Sequence, residues 1–276
     1  MTILRAVAIG VLLAGAGIPL AGARARIEGI DRAASAQQDP AAMYALGLTF
    51  DEGLGVAPDP QQAFQWYSRA AARGHVDAMN RLGVLFAQGR GAPQDYAAAL
   101  NWYRQAAAHG SASGMKNLAT MYFYGFGVPR DYSKAAQLLE GLAYDGDADA
   151  QNKLGTMYNE GLGLAQDHRE ARDLFRQAAV QGYPPALVNL GRMYTDAIGG
   201  ERDDIRGYAL IQAGVDRGVP ESMNEIARSD LHAAAARLSP EQLAFAQGIA
   251  SRLSKVEGAA VTSNSRVADG ARNPTR

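Results

Sequence analysis

The residues in this chain best suited to chemistry are four histidines and one serine–lysine pair. The histidines are His75, His109, His168 and His232. None stands in a His-x-x-x-His or His-x-x-Glu-His arrangement, the spacings that put two metal ligands on one helical face. Ser113 and Lys116 form Ser-x-x-Lys, the spacing in which a lysine activates a serine nucleophile one helical turn away. The Ser-Asp-Asn and Lys-Thr-Gly segments that complete such a site are absent from the sequence. Ser113 also falls in a column with Asp77, Asp149, Pro185 and Glu221, where a helix N-cap accounts for it. The sequence therefore predicts no catalytic residue, no metal site and no cofactor.

That column exists because the chain repeats itself. A pattern beginning at Ala42 recurs at Ala78, Gly114, Ala150 and Ala186, without insertion or deletion, through residue 221. A fixed period of this size marks a solenoid, in which each unit completes the core of its neighbour. Ala78, Leu82 and Phe86 fall at i, i+4 and i+8, one face of a helix that Gly89-Arg90-Gly91 ends. A second helix opens at Asp95 and carries Ala99, Trp102-Tyr103 and Ala106-Ala107 before Gly110. Asp59, Asp95, Asp131, Asp167 and Asp203 are the second-helix caps. The small column Gly47, Gly83, Ala119, Gly155, Gly191 predicts close helix contact, so that Gly83→Leu should disrupt packing.

These residues carry a resemblance. The run Ala-x-x-x-Leu-Gly-x-x-Tyr-x-x-Gly-x-Gly-Val, followed by Asp, Ala-x-x-Trp-Tyr and Ala-Ala-x-x-Gly, resembles the Sel-1-like repeat, a relative of the tetratricopeptide repeat. The resemblance implies an all-α fold, an α/α superhelical solenoid of helix-turn-helix units whose first helices line the concave side. It also implies adaptor or scaffold roles, often in bacterial envelope assembly and signalling. Some cysteine-rich relatives are described as β-lactamases, but this chain has no cysteine.

The expected organisation follows. Residues 1–25 read as a signal peptide: Arg5 is the positive start, Ala6 to Ile18 the apolar run, and cleavage falls near Ala23 or Ala25. The apolar run is shorter than the roughly 20 residues a membrane span needs. Residues 26–41 are expected to hold an N-terminal capping helix, and 42–221 five tandem repeats of 36 residues. Residues 222–256 are expected to hold a partial repeat, a short helix over about Leu231 to Leu238, and a terminal helix opened by Ser239-Pro240-Glu241-Gln242. Residues 257–276 are polar and aperiodic, expected to be disordered.

With a net charge of −1, the composition gives no electrostatic case for nucleic acid or an anionic membrane. The function expected is a periplasmic, non-enzymatic scaffold that binds a protein or peptide, with a cell-wall association as one variant. A sensor-kinase regulator and a hydrolase acting on β-lactams or peptidoglycan are the alternatives. Two positions per first helix lie seven residues apart and share a face. They supply the expected partner-binding residues Arg81, Gln88, Asn117, Tyr124, Lys153, Glu160 and Asn189. Phe126 joins them because the third repeat reads Tyr122-Phe123-Tyr124-Gly125-Phe126 where its siblings are mostly polar or aliphatic, and Leu138-Leu139 replaces Trp-Tyr. Exposed rings with a polar tip are typical anchors for partners. Repacking of Phe123 or Phe126 into the volume left by the missing tryptophan is the competing expectation.

Overall fold

A computed structural model describes residues 39–255, and all regular structure among them is helical. The expected signal peptide, residues 26–38 of the expected capping helix, and the C-terminal tail lie outside the described residues. The described residues fall into two compact units that divide after Asp131.

The first unit contains α1 (Pro40–Glu52), α2 (Pro60–Ala71), α3 (Val76–Gln88), α4 (Tyr96–Ala108) and α5 (Ala112–Tyr124). Helices α1 and α2 form one antiparallel pair, α3 and α4 the next, and α2 and α4 each also pack on the helix that follows. Met43, Leu46, Trp66, Tyr67, Met79, Leu82 and Leu85 are buried together between them. The leucine column thus lies at the centre of the stack. The small column lies where two helices meet: a Cβ on Gly47 would overlap the Tyr67 ring, and one on Gly83 the Tyr103 ring. Absence of a side chain there lets the ring of the second helix lie flat on the first helix's backbone. Burial pushes the Tyr103 hydroxyl up to about 12.

The second unit contains α6 (Tyr132–Tyr144), α7 (Ala148–Glu160), α8 (His168–Val180), α9 (Pro184–Thr195), α10 (Asp204–Asp216), α11 (Glu221–Ala235) and α12 (Pro240–Lys255). The same rule holds with other side chains: Gly155 meets Phe175, and Gly191 meets Ile211. Helix α12 packs on α10, with Ala246, Ala250 and Leu253 buried. Arg217 donates to the backbone carbonyls of Leu253 and Gly182, joining that helix to the turn before α9.

Capping fixes the helix starts. Asp59, Asp95, Asp167 and Asp203 each accept backbone N–H bonds at the second helices, as the sequence predicts. Ser239 and Gln242 form a reciprocal capping box on α12, at 3.0 and 3.2 Å. First helices differ from expectation. Asp39 caps α1 ahead of Pro40, as its type and place predict, but in the later repeats the caps are His75, Ser111 and Asp147, two residues ahead of the expected column. Asp77 and Asp149 instead lie in the first turn, and Ser113 is an exposed residue inside α5. His75 is an N-cap acceptor: its Nδ1 receives the Ala78 N–H at 3.3 Å. A second difference lies at residues 221–238. No glycine or proline interrupts Glu221–Ala235, so it forms the single helix α11 rather than a partial repeat and a separate short helix.

Candidate functional site

Helices α3 and α5 place the expected partner-binding residues of the first unit. On α3, Arg81 lies 3.7 Å from Asp51 and 3.5 Å from Glu52, both at the end of α1. Its guanidinium also donates to the Tyr44 hydroxyl, whose proton affinity is raised by burial and lowered by that bond. Asp51 is the hub: its carboxylate is 6% exposed and accepts from Arg90 at 2.8 Å and from Tyr67 Oη at 3.2 Å. Buried carboxylates need such partners, because an unpaired charge away from water is costly. Burial, with Asp51 beside it, pushes the Tyr67 hydroxyl far up. Gln88 is exposed and accepts a long bond from Arg90 at 3.5 Å.

On α5, Asn117 donates to Asn80 of α3 at 2.8 Å. The second unit repeats this bond: Asn189 of α9 donates to Asn152 of α7 at 2.9 Å. Lys153 pairs with Asp149 one turn earlier at 2.9 Å, and Asp149 also accepts from the Tyr183 hydroxyl. Glu160 is exposed at the end of α7. Of the expected polar residues, Arg81, Asn117 and Asn189 therefore hold the preceding repeat, and Lys153 holds its own helix. The two asparagine pairs and the Tyr44–Arg81 bond join residues one repeat plus one position apart, a relation visible only once first helices of successive repeats lie side by side.

The aromatic residues behave differently. Tyr124, in the last turn of α5, is 61% exposed, and Phe126 in the turn after it is 39% exposed. Their rings stack with centroids 5.5 Å apart, and the other side of Phe126 lies against Tyr96 of α4 at 5.1 Å and 12°. Phe123 meets Tyr124 edge to face at 5.0 Å. Phe126 therefore belongs to a surface stack and does not fill the space that a tryptophan would occupy. Gln94 donates to the Tyr96 hydroxyl at 3.1 Å, and exposed Arg104 donates to the Tyr122 hydroxyl at 3.0 Å. Sequence reasoning singled out Tyr124 and Phe126 and gave no part to Tyr96 and Arg104. A signal existed: between Asp95 and Asp131 the chain has no carboxylate at all.

No group of three or more His, Asp or Glu side chains among the described residues is placed to hold a metal ion. No described helix is long and apolar enough to cross a membrane.

Comparison with known proteins agrees with this architecture. The family model described as Sel1 repeat matches residues 40–75, 76–111, 112–147, 148–183 and 184–219. Each match opens two residues before the period as read from the sequence, at the starts of the first helices. Among solved structures, the chain is similar to a Sel1 repeat protein from Oxalobacter formigenes. They share 29% identity over 69% of this chain and 79% of that one, with a TM-score of 0.62. It is also similar to a putative Sel1 repeat protein from Klebsiella pneumoniae, with 23% identity over 76% and 99% of the two chains and a TM-score of 0.48. A third is a protective antigen of uropathogenic Escherichia coli displaying an SLR fold, with 20% identity over 91% and 76% and a TM-score of 0.39. No curated protein matches the chain.

Proposed function

The chain belongs to the Sel1 repeat family, and we propose that it is a non-catalytic docking protein that presents a protein or peptide site at the end of α5. Sel1 repeats generally mediate protein–protein interaction, which supports this class of function. The observation that carries the reading is the exposed stack of Tyr96, Phe126 and Tyr124. Two of its rings lie open to solvent, Tyr124 in a column that is polar in every other repeat and Phe126 in one that is aliphatic or arginine. Flat rings with little rotamer freedom lose little entropy when a partner covers them, which is why such residues dominate binding energies. Gln88 lies in the same column one repeat earlier and is exposed. In this reading it is a polar contact, while Arg81, Asn117, Lys153 and Asn189 act by holding their helices in place. The protein works in the bacterial periplasm, a reading supported by Arg5, the apolar run Ala6 to Ile18 and the small residues at Ala21-Gly22-Ala23.

The test is a photoreactive residue at position 124, activated in intact cells, with mass spectrometry of the adducts. A discrete protein adduct that disappears when Phe126→Ala is added supports the docking site. Adducts that form only from probes outside the α4–α5 region overturn it.

A further inference from the structure

Helix α12 uses one side within the molecule and leaves another exposed. Ala246, Ala250 and Leu253 are buried where it packs on α10. Glu241, Phe245, Gly248 and Arg252 are exposed. At 3.6 residues per turn these four fall within roughly 60° of arc, one stripe on the side turned away from the buried residues. Two of them are unfavourable where they stand. Phe245 is 48% exposed. Gly248 lies in the middle of the helix, where glycine is destabilising relative to alanine. Gly47, Gly83, Gly155 and Gly191 each meet a neighbouring ring or side chain that excludes a Cβ, whereas a Cβ on Gly248 would meet nothing within 4 Å. Among the other described helical glycines only Gly141, near the end of α6, is as open. The remaining two members of the stripe are charged. Glu241 accepts from the Ser239 hydroxyl, a neutral donor, at 2.7 Å, and Arg252 donates through Nε to the Gly248 carbonyl at 3.3 Å. Neither forms an ion pair among the described residues. Acid at the start and base at the end suit the helix dipole, which accounts for the charges but not for the ring and the glycine.

The stripe is its own complement. Phe245 lies four residues after Glu241, and Gly248 four before Arg252, so reversing the helix sets each acid opposite a base and each ring opposite a gap. We propose that a second copy of this chain docks here, α12 against α12 in antiparallel order about a two-fold axis. Glu241 of each copy then faces Arg252 of the other. Each Phe245 ring covers the open backbone at Gly248 of the other, where the absence of a side chain lets the two helices approach closely. A parallel pairing would set Glu241 against Glu241 and ring against ring, and like-charge juxtaposition disfavours that order. One helix pair buries less than the roughly 1,200–2,000 Å² of a standard interface, so the dimer is weak, with a Kd on the order of 10–100 µM. This contact is independent of the aromatic stack on α4 and α5.

The test is sedimentation velocity of the full chain from about 5 to 500 µM in low salt. Wild type should shift from monomer to dimer across that range, and added salt should weaken the shift. Glu241→Arg and Arg252→Glu should each weaken dimerisation by about tenfold or more, because each sets like charges opposite one another twice per dimer. Combined in one chain, they should restore it to within about threefold of wild type. Gly248→Leu fills the gap and Phe245→Ser removes the ring, and each should abolish the dimer. All four side-chain positions face solvent in the monomer, so melting midpoints at low concentration should stay within about 3 °C of wild type. A monomer across the whole range overturns the inference. So does a dimer that the single charge reversals leave unchanged, which places the contact elsewhere, or a double reversal no better than either single one. Assemblies that grow beyond two copies also overturn it, because a two-fold contact closes at two.

Discussion

Helices α3 and α5 occupy the same place in successive repeats, and they use that place differently. Arg81, Gln88 and Arg90 of the second repeat align with Asn117, Tyr124 and Phe126 of the third. On α3 the two arginines converge on Asp51 of the repeat before, and Gln88 accepts from one of them. On α5 the residue aligned with Arg81, Asn117, reaches back to the repeat before through one neutral hydrogen bond. Phe126 reaches back through its ring to Tyr96, and Tyr124 stacks above it with most of its surface in water. Identical backbone positions thus yield a closed ion-pair lock in one case and an open aromatic shelf in the other. A polar residue at repeat spacing is poor evidence for a binding site, because the neighbouring repeat is its nearest partner. An aromatic ring left exposed at such a position is better evidence, since its column neighbours Gln88 and Glu160 are polar and exposed and the ring gains no core burial there.

The comparison assumes a shared backbone frame, and the most severe test attacks that frame. Gly83→Leu drives a side chain into the Tyr103 ring beneath α3. We expect a loss of about 3 kcal/mol and a fall in melting temperature of roughly 6–12 °C. An unchanged midpoint in a thermal melt would mean the two helices do not meet as described.

A smaller effect is expected where the lock itself is removed. Asp51→Ala leaves the buried Tyr67 hydroxyl without its acceptor and frees Arg81 and Arg90. Urea denaturation should show a loss of roughly 2 kcal/mol. A change below about 0.5 kcal/mol would place the α3 ion pairs among ordinary surface contacts and erase the contrast with α5.

The smallest effect is a pH dependence. His75 caps α3 with a ring nitrogen that must be unprotonated, and the ring stacks on Tyr44 at 4.4 Å. Burial holds its pKa below the usual value near 6.5, against the opposing pull of Asp77 and Asp39. The unfolded chain therefore takes the proton more readily than the folded one. Stability from the cap is complete above about 6.5 and is lost as pH falls through the lowered folded value. Ser111 does the same work on α5 with a hydroxyl that does not titrate in this range. Melting midpoints of the wild type and His75→Ser should draw together as pH falls from 7.5 to 5. Parallel curves would remove His75 as the cause.

Much of the fold was legible in the sequence because the core columns recur five times, and each copy checks the others. The second-helix aspartates were legible for the same reason. First-helix caps were misread because Asp77, Ser113 and Asp149 are good cap formers by type, whereas the actual caps include His75, and α9 starts after Tyr183 without a side-chain cap bond. There proline at the first helical positions, Pro184 and Pro185, marks the start in place of a capping side chain. The partners of Arg81, Asn117 and Asn189 were illegible because they lie 29 to 37 positions away in the chain. Tyr124 and Phe126 were legible as departures from their columns. The ring on the far side of Phe126, Tyr96, belongs to no such departure and needed the structure.

Three side-chain bonds between first helices join a residue to one a full repeat and a single position further on: Asn80 to Asn117, Asn152 to Asn189, and Tyr44 to Arg81. Pairing information is therefore held at the junctions and not within any repeat. Excision of residues 76–111 would keep every core column in phase, yet it would set Tyr44 against Asn117 where Arg81 had been. Gain or loss of whole units is silent to the core and audible at the seams, so the order of the repeats is itself part of what this sequence encodes.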